Sequence, residues 1–151
     1  MKRNLPAVLA AALLALTCTE PSPSVGGTWR LTSSLTYPPD FDIAPGQPEV
    51  CADTGVLTLS GGAAFSGTYD SLTIACNTGS TITGLNGLVI NGALASGTVS
   101  FNFDTPDWLY VGTVHGDSIG GTVTDSLNGM PGREAATGSW SACESRTCGT
   151  R

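Results

Sequence analysis

Few residues in this chain have the type and setting to do chemistry. There is one histidine, His115, followed directly by Gly116-Asp117, a pair that reads as a tight turn. A general base needs a cleft and a partner within hydrogen-bond reach, and an exposed turn histidine has neither. HExxH, CxxC and phosphate-loop patterns are missing from the sequence, as is any nucleophile set beside a base. The expected chemistry is therefore non-enzymatic, with no catalytic residue and no cofactor. Five aspartates, Asp40, Asp42, Asp53, Asp104 and Asp107, fall in segments that read as loops. Calcium takes six to eight oxygen ligands, but no EF-hand spacing is present, and aspartate is favoured in turns because it bonds its own backbone. No metal is expected. Asp104-Thr105-Pro106-Asp107-Trp108 is the most distinctive loop, with a tryptophan placed either to stack on a ligand or to lid a core.

The cysteines carry more information. Five is an odd number, and a leftover thiol in an exported protein is a flag. Export is indicated by the start of the chain: Lys2 and Arg3 precede a run over residues 5–16 that is almost purely apolar, and a polar, proline-broken stretch follows Cys18. A spanning helix needs about 20 apolar residues, more than this run supplies. The expected organisation is a signal peptide over 1–17, Cys18 with a tether over 18–25, a folded domain over 26–144 and a tail over 145–151.

Ala15-Leu16-Thr17-Cys18 resembles the lipobox of bacterial lipoproteins, in which the cysteine is acylated and becomes the mature N-terminus. Thr17 departs from the small residue usual just before that cysteine. Ordinary cleavage nearby would instead leave Cys18 as a spare thiol. The resemblance implies lipidation at Cys18, a place in the bacterial cell envelope and membrane contact through N-terminal acyl chains. It also leaves an even set, Cys51, Cys76, Cys143 and Cys148, enough for two disulfides.

From Cys18 onward there are four basic and twelve acidic side chains, a net charge near −8, and no lysine. That balance argues against nucleic acid and against electrostatic docking on anionic lipid. Glycine, threonine and serine dominate, which favours strands punctuated by turns. A Gly–hydroxyl–aromatic or β-branched theme recurs, as in Gly27-Thr28-Trp29, Gly67-Thr68-Tyr69 and Gly138-Ser139-Trp140, at spacings too uneven for a solenoid.

Alternation gives eight strands. They fall over about 27–37, 56–60, 63–74, a fourth around Leu88, Ile90 and Leu94 in one phase, then 98–104, 108–115, 118–125 and 135–142. Leu72 and Ile74 fall out of phase with Phe65 and Tyr69, so a bulge is expected near Asp70. An eight-stranded antiparallel meander leaves two raw edges unless it closes, so the expected fold is an all-β, up-and-down barrel. Trp29 and Trp140 would be neighbours at one end. That end carries tight turns at Gly61-Gly62, Ala95-Ser96-Gly97 and Gly116-Asp117, while the other carries the longer loops over 38–55, 77–85, 105–107 and 126–132.

Strand parity then pairs the cysteines. Cys51, in the first long loop, and Cys76 lie at the loop-rich end, whereas Cys143 leaves the eighth strand at the other end, about 25 Å away. A disulfide needs Cα atoms within about 7 Å, so the pairs are Cys51 with Cys76 and Cys143 with Cys148.

Gly27-Thr28-Trp29 at the start of such a barrel resembles the calycin group, the lipocalins and avidins, and residues 65–71 look like the third strand of avidin-like proteins. The resemblance implies a calycin-like barrel, and for Tyr69 alone it implies the place of a ligand-contacting tyrosine. Leu31 departs from the polar residue expected in an avidin pocket, so no particular ligand is implied. Two functions follow from the barrel. It binds a small apolar ligand at the loop-rich mouth through Tyr37, Tyr69, Phe103, Trp108 and Tyr110, or its interior is filled and it serves as a structural or protein-interaction module of the envelope.

Overall fold

A computed structural model describes residues 24–38, 48–126 and 135–148. Cys18, the signal peptide, Asp40 and Asp42 lie outside the described residues. Eight strands follow one another: β1 (Gly27–Tyr37), β2 (Glu49–Gly61), β3 (Ala64–Cys76), β4 (Thr81–Ala95), β5 (Thr98–Phe103), β6 (Trp108–His115), β7 (Ser118–Asp125) and β8 (Ala136–Glu144). Each pairs antiparallel with its sequence neighbour, and β1 pairs with β8 from Trp29↔Glu144 to Thr36↔Thr137, so the sheet closes. The expected all-β, eight-stranded up-and-down barrel is the fold, and its form is compatible with the calycin group.

Period-two alternation builds the interior. β1 turns Trp29, Leu31, Ser33, Leu35 and Tyr37 inward and sets Arg30, Thr32 and Thr36 outside. β5 and β6 contribute Val99, Phe101, Phe103, Trp108 and Tyr110, all buried. Such side chains stabilise by roughly 1.5–3 kcal/mol each when fully buried. Among the described residues, no helix is long and apolar enough to cross a membrane.

Bulges shape the wall, two of them at non-glycine residues with positive φ. Register slips in β3 between Tyr69 and Leu72, where Ser71 has φ 54°, as the phase change near Asp70 predicts. A second slip in β4 falls between Ile90 and Ala93, where Asn91 has φ 55°. This corrects the expected phase of β4. Leu88 is 52 % exposed, while Val89 and Leu94 are buried, because the extra residue at the Asn91-Gly92 bulge inverts the faces. The strand nevertheless runs on to Ala95 and turns at Ser96-Gly97.

Three other placements differ from expectation. β2 begins at Glu49, seven residues before the expected start, so Cys51 stands in a strand, directly opposite Cys76 on β3. Asp53 is likewise a β2 residue facing inward, 1 % exposed, and is not part of a loop. Trp140 pairs with Ser33, four residues along β1 from Trp29, because β8 continues to Glu144. Its ring therefore lies in the middle of the barrel, and the closed end is plugged instead by Trp29, whose Nε1 donates to the Val25 carbonyl at 2.9 Å.

Both predicted disulfides form. Cys51–Cys76 ties β2 to β3 at the mouth end, and Cys143–Cys148 staples the residues after β8 at the closed end.

Candidate functional site

The mouth half of the barrel interior is where the predicted contact residues meet. At the rim, the last residue of β7, Asp125, faces the first residue of β6, Trp108. The Asp125 carboxylate accepts a hydrogen bond from Trp108 Nε1 at 3.0 Å and another from the Tyr37 hydroxyl at 3.3 Å. Burial, and then the adjacent Asp125, push the Tyr37 hydroxyl well above the ordinary tyrosine range. Glu49, at the start of β2 and opposite Tyr37, is 6 % exposed and accepts from Thr78 Oγ1 at 2.7 Å.

Below the rim runs a connected aromatic column. Tyr69 stacks on Phe103 with centroids 4.3 Å apart, Phe103 meets Tyr110 at 4.8 Å, and Tyr110 stacks on Phe101 at 4.9 Å. Trp140 stands edge-on to both Phe101 and Tyr110 at 5.4 Å. Such pairs add about 0.5–1.5 kcal/mol beyond their buried area. Glycines make room for this column. A Cβ at Gly112 would lie 2.8 Å from the Trp140 ring, and one at Gly87 would collide with the Tyr69 hydroxyl and the Asp104 carboxylate. The Tyr69 hydroxyl donates to the Thr105 carbonyl, which fixes the column to the 104–107 loop.

Beside the column, Ser33 on β1 and Asp53 on β2 are register partners. Ser33 Oγ donates to Asp53 Oδ2 at 2.8 Å, leaving Asp53 Oδ1 buried without a partner. Desolvation raises the Asp53 carboxyl to about 6, with the Ser33 bond acting in the opposite direction. Tyr110 is fully buried and its hydroxyl has no hydrogen-bond partner either. Burial pushes that hydroxyl far up; Ser33 nearby lowers it, but the Ser33 proton goes to Asp53 and no bond of ordinary geometry reaches Tyr110 Oη. The charge of Asp53 acts on both Tyr110 and Tyr37, which places the three groups in one field.

Tyr37, Tyr69, Phe103, Trp108 and Tyr110 thus turn into the barrel interior from β1, β3, β5 and β6, each 7 % exposed or less. The other candidates are gathered only in part. His115 is exposed beside its turn at the closed end. Asp104 accepts from the Leu88 amide of β4 and lies against the Tyr69 hydroxyl, while Asp107 accepts from Asn102 on β5. Glu49, Cys51 and Cys76 bring three potential ligand atoms within 4.8 Å of one another, but both sulfurs are committed to the disulfide and offer no thiolate. A groove of about 570 Å³ lies on the outer surface where β2 and β3 bulge, bordered by Arg30, Thr32, Thr54, Gly55 and Ser71, and includes none of the predicted contacts.

No protein-family model, curated protein or solved structure matches this chain. The site is therefore read from its own geometry. Sequence reasoning missed Ser33, Glu49, Asp53 and Asp125 as interior residues. A signal existed: counting back in twos from Leu59 and Leu57 reaches Gly55, Asp53, Cys51 and Glu49, so the inward phase of β2 continues through two acids.

Proposed function

We propose that this chain is an exported bacterial envelope lipoprotein, anchored by acylation at Cys18, whose barrel binds a small molecule with an apolar body at the mouth and performs no catalysis. The observation that supports binding is that Tyr37, Tyr69, Phe103, Trp108 and Tyr110 all turn into the barrel interior toward the loop-rich end, from four strands, together with the carboxylates of Asp53 and Asp125. Aromatic surfaces with a few placed polar groups are the usual lining of small-molecule sites. The signal grammar of residues 1–18 supports export and the anchor.

A second reading has its own observation. The aromatic column is in mutual contact from Tyr69 to Trp140, which is how a filled, structural barrel is built. Titration with the neutral fluorescent probe N-phenyl-1-naphthylamine separates the two. Binding predicts saturable one-to-one uptake, weakened by more than about 1 kcal/mol in Trp108→Ala. An absence of saturable uptake, with no small molecule carried through native purification, supports the structural reading. Mass spectrometry of the mature N-terminus tests the anchor: an unmodified terminus beyond Cys18 refutes it.

A further inference from the structure

Among the described residues, the mouth half of the interior is acidic without a compensating charge. Glu49, Asp53 and Asp125 turn into it from β2 and β7, and Glu49 and Asp53 are 6 % and 1 % exposed. Glu49 and Asp125 have donors, in Thr78 and in Tyr37 with Trp108. Asp53 has only Ser33, on one oxygen. Among the described residues no basic side chain comes near. Arg30 points outward from β1, His115 is at the closed-end turn, and Arg146 is 87 % exposed and paired with Glu144 beyond β8. A buried carboxylate without a counter-charge is costly, because burial disfavours its charged form.

Resting on the binding reading above, we infer that the ligand is a small organic ammonium, whose N–H groups donate to Asp53 Oδ1 and to the Tyr110 hydroxyl oxygen, the two buried polar atoms that lack partners. Three features select this chemistry. A positive charge compensates the buried acid, which water does not. A bare calcium ion would want six to eight oxygens, more than Asp53, Ser33 and Tyr110 can offer. An anionic ligand would add to the repulsion among the three carboxylates.

The test is calorimetric titration of the purified full-length protein at pH 7.5, conditions set to be about neutral, with three ligands of one shape: phenethylammonium, the neutral 2-phenylethanol and the anionic phenylacetate. The expected result is that the ammonium binds at least about tenfold more tightly than the alcohol, and phenylacetate more weakly than either. Asp53→Asn should bring ammonium and alcohol to within about threefold of each other, and Tyr110→Phe should weaken the ammonium while leaving some preference for it. Tryptophan fluorescence melting confirms that both variants are folded; the wild-type series decides the question even if one is not. Equal binding of alcohol and ammonium would overturn the cation and leave a binding barrel. Ammonium preference that survives intact in folded Asp53→Asn would move the site elsewhere. If none of the three binds while N-phenyl-1-naphthylamine does, the cation fails alone; if that probe also fails, the binding reading falls with it.

Discussion

Asp53 gives the most direct test of the interior, because its effect on stability has a sign and a size. Its carboxyl rises from 3.8 to about 6 on folding, chiefly by desolvation. Between about pH 4 and pH 6 the folded protein therefore holds a proton that the unfolded chain has already released, so stability falls as pH rises through that window. The contribution is fully present below about pH 4 and lost above about pH 6. At 1.36 kcal/mol for each tenfold change in proton affinity, the loss is about 3 kcal/mol, and with the side chain 1 % exposed there is little solvent to screen it. Asp53→Asn removes the titration while keeping the shape and an acceptor for Ser33. Urea unfolding followed by the fluorescence of the tryptophans, at half-unit steps from about pH 4 to 8, measures both curves. Other acids affect wild type and variant alike, so the difference between the curves isolates Asp53. That difference should move by about 3 kcal/mol in favour of the variant between pH 4 and 6 and then stay level. Parallel curves across the window would refute the argument, for Asp53 would then be hydrated or paired as it is in the unfolded chain.

The remaining predictions concern the two ends. Trp29→Ala, which deletes the closed-end plug held to Val25, should cost roughly 3–5 kcal/mol in the same unfolding assay. Trp108→Ala also removes a buried ring, so its effect on probe affinity must be read on protein shown to be folded; lower stability with unchanged affinity would assign Trp108 to the core alone. Replacing Cys51 and Cys76 together by alanine should cost about 3–4 kcal/mol, because that bridge spans 25 residues, against about 2 kcal/mol for Cys143 and Cys148, which are 5 apart. Equal losses for the two pairs would mean that chain entropy is not what the bridges control.

The barrel was legible because most strands alternate cleanly. Val99-Ser100-Phe101-Asn102-Phe103 declares its inner face, and the tight turns declare which end is closed. Parity of the strands was enough to pair four cysteines correctly even though Cys51 was assigned to a loop. The failures have specific causes. The apolar pattern of β2 stops short because Glu49 and Asp53 occupy inward positions, and a pattern that equates inward with apolar ends where an acid turns in. The phase of β4 is hidden from the sequence because one residue at Asn91 shifts everything before it to the other face. The alternation places Trp140 near the closed end because it ends the eighth strand at 142, whereas β8 runs to Glu144, four residues beyond Trp140.

The break in β2 falls at the candidate site. The residues that broke the pattern, Ser33, Glu49 and Asp53, together with Asp125 at the end of β7, are the ones that make the mouth half of the interior polar. Deeper in the barrel the aromatic pairs stack and glycines sit where rings need space. A domain of this size has a net stability of roughly 5–15 kcal/mol. A buried acid that takes away about 3 kcal/mol above pH 6 is a large fraction of that margin. An apolar residue in place of Asp53 would continue the inward pattern of Leu57 and Leu59 without that cost. The local rule is therefore broken at a place where the fold gains nothing from breaking it, beside a tyrosine whose hydroxyl is also unpartnered. Breaks of this kind are expected at functional or strained positions, and this one falls in the same half of the interior as the contacts of the proposed binding site.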